Sequence, residues 1–293
     1  MSPGTEIVLN PPAKINLFLD VGPLRPDGYH EIVSIMQTID LRDRLTISLL
    51  SEHDPPLRLH SDHHHLTGGP ENTLWRAYQA FKRHHPGVPG MEIRLRKRIP
   101  MQAGLGGGSS DAGILLRYLW KTFAPAASEE QMIAIAAEVG SDVPFFLFGG
   151  ICLVKGRGER ITSLPSLPPH PILVFHPLET VSTAAAYQAL DAIGDRIHPP
   201  IDPILEAIHS ESWRNILGRL HNSFEECIYA AHPPLAALYA FCKKRLRQGV
   251  LLCGSGSNLF AISSRIEDLY NLQQETSSEF PGLMSTLTQS TKL

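Results

Sequence analysis

Pro100-Met101-Gln102-Ala103-Gly104-Leu105-Gly106-Gly107-Gly108-Ser109-Ser110-Asp111 runs directly into the apolar-periodic segment Ala112 to Phe123. Four of the five positions 104–108 are glycine, and without Cβ atoms the backbone can approach a ligand closely. Leu115, Leu116, Leu119, Trp120 and Phe123 recur at the spacing of a helix with one buried face. The stretch therefore reads as a glycine loop feeding a helix start, where unpaired N–H groups and partial positive charge hold phosphate. Ser109 and Ser110 add hydroxyls. Known loops of this kind are excluded one by one. There is no Gly-Lys-Ser/Thr for a P-loop, the third place of a Gly-x-Gly-x-x-Gly fingerprint is Ser109, and Gly-x-Ser-x-Gly fails because Asp111 and Ala112 stand two beyond the serines.

A chain of 293 residues, 43% apolar and 19% charged, is ordinary for a soluble globular protein and long enough for two domains. A net charge of −3 gives no general attraction to nucleic acid or to anionic membrane, so an anion site has to be local. Cys152, Cys227, Cys242 and Cys253 lie far apart without a Cys-x-x-Cys pair, which argues against a disulfide framework or a structural zinc site and for a reducing cytoplasm. Met1 to Leu9 lacks the basic and apolar regions of a secretion signal, and no run of about 18 apolar residues occurs.

Outward from the loop, Met91 to Ile99 alternates as a strand, with Ile93, Leu95 and Lys97 against Arg94, Arg96 and Arg98. Its basic residues are expected to face solvent, with one available to offset phosphate charge. Asn72 to Arg83 carries Leu74, Ala77, Tyr78 and Phe81 on one helical side. Ser128-Glu129-Glu130-Gln131 opens a helix that Gly140 closes. Asp142 follows at the mouth of the apolar run Val143 to Phe148, where a carboxylate is by itself an ordinary turn residue.

Upstream, Glu6 to Val21 reads as a strand that places Lys14 and Asn16 on one face, either solvated or lining a cleft. Arg25-Pro26-Asp27-Gly28-Tyr29-His30 is a turn, and Ile32 to Leu50 is further strand interrupted around Arg42-Asp43-Arg44. The polar stretch from Ser51 to Gly69, with His53, His60, His63, His64 and His65, reads as an exposed loop rather than a metal site. Pro165, Pro168, Pro169 and Pro171 mark a stiff connector. Beyond it come a strand from Ile172 to Phe175, a helix beginning near Thr180 to Tyr187, and a hairpin of Val250 to Cys253 and Asn258 to Ile262 around Gly254-Ser255-Gly256-Ser257.

The loop matches, residue for residue, the Pro-x-x-x-Gly-Leu-Gly-x-x-Ser-Ser signature and so resembles the GHMP kinases, which include galactokinase, homoserine kinase, mevalonate kinase and phosphomevalonate kinase. Pro12 to Leu19, Arg25 to Glu31 and Gln37 to Leu41 narrow the resemblance to one branch, which serves the non-mevalonate isoprenoid pathway. Departures are mild: Gly113 and Ser141 stand where the family usually has alanine, and the C-terminal half diverges. The resemblance implies an α+β, two-domain GHMP kinase fold of mixed sheets and helices with a deep cleft. Residues 1–163 would form the ATP-binding domain and 172–293 the second.

It further implies that ATP with Mg²⁺ binds Pro100, Met101, Gln102, Ala103, Gly104, Leu105, Gly106, Gly107, Gly108, Ser109 and Ser110, with Asn72 near the nucleotide. The acceptor would be a small molecule bearing a cytidine diphosphate and a branched tetritol. Tyr29 and Tyr187 would sandwich its base, His30 would meet the base edge, and Asn16 and Thr183 would place the tetritol. Asp142 would take the hydroxyl proton while Lys14 keeps that carboxylate ionised and contacts the attacking oxygen. No nucleic-acid or membrane partner is expected, and a monomer or weak homodimer is. A nucleotide-binding regulator that had lost its chemistry would be expected to lack Lys14 or Asp142, and both are present. An RNA-binding module, the other rival, is disfavoured by the near-neutral charge.

Overall fold

Alternation at the two-residue period and apolar stripes at the helical period produce, in a computed structural model, three sheets with helices packed against them. The structure describes residues 6–51, 55–194 and 196–293. The start of the N-terminal segment and His53 therefore lie outside the described residues. The described residues divide into two compact units that interleave along the chain. One comprises residues 1–13, 41–101 and 106–149, the other 14–40, 102–105 and 150–293.

In the first unit a four-stranded sheet runs in the order Glu6–Leu9, Arg44–Leu49, Met91–Arg96, Leu57–Ser61. The first two pairings are antiparallel and the last is parallel. Leu45, Ile47, Ile93, Leu95, Leu57 and Leu59 point from it into a core completed by three helices, Thr73–His84, Gly107–Phe123 and Glu129–Val139. In the first of these Leu74, Ala77, Tyr78 and Phe81 are all buried, as their spacing predicts. Each of the larger side chains contributes roughly 1.5–3 kcal/mol by leaving water. Asn72 caps that helix by accepting from the Leu74 N–H at 3.0 Å, and Ser128 caps the third by accepting from Gln131 at 3.2 Å.

Three expectations need correction here. The expected strand from Glu6 to Val21 is two strands, Glu6–Leu9 and Pro12–Leu24, because Pro11 and Pro12 break the ladder. The histidine-rich stretch is not all loop, since Leu57 and Leu59 alternate inward and make Leu57–Ser61 a strand with His60 on its outer face. The helix after the glycine loop begins within the glycines, at Gly107, with Gly106 as its left-handed cap.

The second unit holds two sheets. Its five-stranded sheet has the order His221–Asn222, Pro12–Leu24, His30–Arg42, Ile151–Gly156, Arg160–Ser163. The strand that carries Lys14 is thereby central, and its residues from Pro12 to Leu19 are buried on both faces. The antiparallel four-stranded sheet runs Val250–Leu252, Leu259–Ile262, Pro171–His176, Met284–Gln289. Pro12–Leu24 and His30–Arg42 thus share a sheet with Ile151–Gly156, far later in the chain. No helix among the described residues is long and apolar enough to cross a membrane.

Candidate active site

In the second unit, the tip of the glycine loop is held from two sides. The Lys14 backbone N–H donates to the Leu105 carbonyl at 3.0 Å, tying the loop to the central strand. Gly104 sits at φ +73° against the Cys253 carbonyl, and a Cβ there would overlap that oxygen. The facing turn, Cys253 to Asn258, is itself braced: Cys253 donates to Asn258 at 2.8 Å, and Gly256 to Cys253 at 2.8 Å. Asn222, which sequence reasoning passed over, donates its side-chain amide to the carbonyls of Leu252 at 2.9 Å and Gly254 at 2.7 Å. Burial pushes the Cys253 thiol up to about 12, with the Lys14 charge pulling the other way, so this sulfur stays protonated and inert.

The close approach at Gly104 makes a direct prediction. Gly104→Ala would put a side chain on a left-handed residue and drive it into a backbone oxygen. We expect at least about 1–3 kcal/mol of strain, read as a melting temperature lowered by several degrees together with a raised KM for nucleotide.

Lys14 is 4% exposed, and its ammonium donates to Asn16 Oδ1 at 2.8 Å. Asn16 Nδ2 in turn donates to Ser34 Oγ at 2.8 Å, and Ser34 to the Phe18 carbonyl at 2.7 Å. Of the two readings open in the sequence, the solvated face is thus excluded. A Cβ on Gly254 would stand 3.4 Å from Lys14 Nζ and 3.3 Å from the Gly104 carbonyl oxygen. Lysine head, loop tip and glycine turn therefore form one knot.

Farther along the same unit, His30 stacks on Tyr187 with ring centroids 4.9 Å apart. Its Nδ1 lies 3.0 Å from the Gly22 carbonyl, and its Nε2 lies 3.4 Å from the Asp191 carboxylate. Tyr187 also meets Phe224 edge-on at 5.0 Å. Tyr29, half exposed, has the Arg157 guanidinium 5.0 Å over its ring, a contact with no sequence signal. Thr183 opens its helix and shares a 3.2 Å hydrogen bond with Ser255 of the glycine turn. His30 and Tyr187 are thus brought together, and Thr183 joins the turn that faces the loop.

In the first unit lie Pro100 and Met101 at the loop's entry and Gly106 to Ser110 at its exit. Gly107, Gly108 and Ser109 form the first turn of the helix, whose N–H groups lack intrahelical partners. Ser110 is fully buried and donates to the Pro12 carbonyl at 2.6 Å, so its hydroxyl serves the fold, whereas Ser109 is only half-buried. Thr73 donates to the Gly108 carbonyl at 2.8 Å. Asn72 is buried, its oxygen capping the helix and its amide donating to Thr67 at 3.0 Å. Asp142 is half-buried in the turn between Glu129–Val139 and the short helix Phe145–Phe148.

One expectation fails in this unit: Lys97 does not face solvent. Its ammonium pairs with Asp43 and, at 3.0 Å, with Asp111, all three side chains being nearly inaccessible. The signal was its register with the buried Ile93 and Leu95 rather than with the exposed arginines. Desolvation opposes the Lys97 charge, yet the Asp111 and Asp43 carboxylates outweigh it and hold the ammonium above its usual range. Burial raises the Asp111 carboxyl above the usual carboxylate range, with Lys97 opposing and Asp43 adding to the rise.

His63 and His64 stack, His65 is tilted against both, and no group of three or more His, Cys, Asp or Glu that could hold a metal ion occurs among the described residues. The four cysteines are buried, and none of them is in a disulfide.

The sequence profile of the GHMP kinases N terminal domain matches residues 72–150. The 4-diphosphocytidyl-2-C-methyl-D-erythritol kinase of Exiguobacterium sibiricum is 37% identical over 268 residues, covering 90% of this chain and 93% of that protein. That of Bacillus subtilis is 38% identical over 270 residues, covering 91% and 92%. A crystal structure of 4-(cytidine 5'-diphospho)-2C-methyl-D-erythritol kinase superposes with a TM-score of 0.78 at 31% identity, covering 97% of this chain and 99% of that one. Homoserine kinase from Cytophaga hutchinsonii, at 18% identity, has the same fold with a TM-score of 0.74 over 100% and 96% of the two chains. With this similarity across nine-tenths of its length, the chain belongs to the GHMP kinase family, in the branch of the 4-diphosphocytidyl-2-C-methyl-D-erythritol kinases.

Proposed function

We propose that this chain transfers the γ-phosphoryl group of ATP to the 2-hydroxyl of 4-diphosphocytidyl-2-C-methyl-D-erythritol, a step of the non-mevalonate isoprenoid precursor pathway. The observation that carries the reading is the knot of Lys14, the loop tip and the Cys253–Asn258 turn, which holds a phosphate loop rigid beside a buried cation.

The residues present fit a nucleoside triphosphate: backbone approaches unobstructed by Cβ atoms, a helix start with unpaired N–H groups, and the hydroxyl of Ser109. Mg²⁺, when bound with ATP, would supply charge compensation for the triphosphate. The loop from Pro100 to Ser110 orients the triphosphate in line with the acceptor, and Asn72 stands near the nucleotide while capping its helix.

Chemistry then follows in one displacement. The 2-hydroxyl oxygen forms the new bond to phosphorus as the bond to the bridging oxygen breaks, and its electron pair leaves with ADP. Asp142 accepts the hydroxyl proton, and Lys14 offsets the negative charge that develops on the attacking oxygen. No phosphoenzyme forms. Tyr29, His30 and Tyr187 recognise the cytosine, with the His30–Tyr187 stack presenting one flat face, and Asn16 and Thr183 position the tetritol. The protein works in the cytoplasm as a monomer or weak homodimer, with residues 1–163 as the ATP-binding domain and 172–293 as the second.

A coupled ADP-release assay with this acceptor against homoserine, mevalonate and galactose decides the assignment. Turnover is expected with the cytidine-bearing acceptor alone. Activity confined to one of the other three would make the chain another small-molecule kinase of the family, against which the Tyr29-His30 turn speaks.

A further inference from the structure

Lys97, Asp43 and Asp111 form a buried ion triad far apart in sequence, and its members sit at both ends of the phosphate loop. Lys97 lies three residues before Pro100, and Asp111 lies in the helix that leaves the loop. Asp43 fills the break between His30–Arg42 and Arg44–Leu49. Its Oδ1 accepts the backbone N–H groups of Arg98 at 2.5 Å and Ile99 at 2.9 Å, while its Oδ2 takes the Lys97 ammonium. Lys97 passes the restraint on to Asp111 Oδ2 at 3.0 Å. The helix start is pressed against the same group, for a Cβ on Gly107 would stand 3.1 Å from Lys97 Nζ and 3.0 Å from Ile99.

Stability is a weak reason for such a cluster. Each buried ion loses several kcal/mol of hydration, and apolar replacement of a whole buried ion group is often neutral or stabilising. What the triad does supply is a fixed separation between the residues that enter and leave a loop rich in glycine, the residue with the most conformational freedom to lose. Fixing that separation in advance removes ordering cost from ligand binding.

We propose that Lys97 and Asp111 are positioning residues of the nucleotide site. Through Asp43 they clamp the two ends of the glycine loop and so set its affinity for the triphosphate without touching the phosphates. The inference rests on the reading of this loop as the ATP site.

Its test separates KM for ATP from KM for the acceptor, alongside calorimetric ADP binding and a melting curve. Asp111→Ala removes the oxygen that receives Lys97, and KM for ATP and Kd for ADP should rise about tenfold, the worth of one charge-assisted hydrogen bond. KM for the acceptor should stay within about twofold in the same variant. Asp111→Asn keeps an accepting oxygen and should restore wild-type ADP binding.

A triple variant, Asp43→Asn with Lys97→Met and Asp111→Leu, leaves no buried charge unpaired. It should melt near the wild-type temperature yet bind ADP at least about tenfold more weakly. Wild-type ADP affinity in a folded triple variant, or equal ADP affinities for Asp111→Ala and Asp111→Asn, would overturn the proposal. A wild-type enzyme without ATP-dependent turnover would instead remove the reading on which it rests.

Discussion

Asp142→Asn is expected to cut turnover at least about a hundredfold, the range for a lost general base, while ATP binding stays nearly intact. The exchange is isosteric, and it occurs in a turn that backbone hydrogen bonds hold. Val143 donates to Gly140 at 3.1 Å, and Phe146 to Val143 at 3.1 Å. Val143, Phe145 and Phe146 are fully buried beneath it. The amide therefore takes the carboxylate's place without moving it, and what disappears is the capacity to take a proton. Steady-state kinetics with a parallel ADP titration by calorimetry reads both quantities. Full turnover in the variant would mean that the departing phosphate oxygens take the proton themselves.

Lys14→Met should also be severe, lowering kcat by about 10²–10³ as expected for loss of one preorganised charge at the reacting oxygen. Methionine retains the apolar stem on the central strand, so the sheet is kept. Asn16 Oδ1 loses its 2.8 Å donor, a cost of ~1–3 kcal/mol that circular dichroism and a melting curve will register. A variant that is well folded and fully active would strip Lys14 of its role. Combining the two substitutions tests whether they serve one step. If base and cation act on the same proton transfer, the double variant should be little worse than the more damaging single one, since residues that act as a unit are strongly non-additive.

What could be read from the chain alone was what is local. The glycine loop, the helix after it, the cap Ser128, and the alternating strands rest on neighbours a few residues apart, and each carries its signal in one window. The triad could not be read so, because Asp43, Lys97 and Asp111 meet only after the chain has folded, although Lys97 on the side of Ile93 and Leu95 was its visible trace. Asn222 gave no trace, since an asparagine that closes a distant turn looks like any loop residue. Composition hid the strand Leu57–Ser61, where Arg58, His60 and Ser61, followed by Asp62 to His65, masked two inward leucines. The interleaving of the compact units was equally out of reach, because the sheet partners that Pro12–Leu24 and His30–Arg42 take besides each other arrive more than a hundred residues later.

Gly113, in the helix after the loop, has no room for a methyl group. A Cβ would lie 2.5 Å from Phe146 Cβ and 2.9 Å from the Val143 carbonyl oxygen. The helix that emerges from the glycine loop is thus seated flush on the segment beginning one residue after Asp142. Helix start and carboxylate are thereby two arms of a single bracket: if the one holds the anion and the other takes the proton, as proposed, they travel together whatever else shifts, and their spacing needs no adjustment at each turnover.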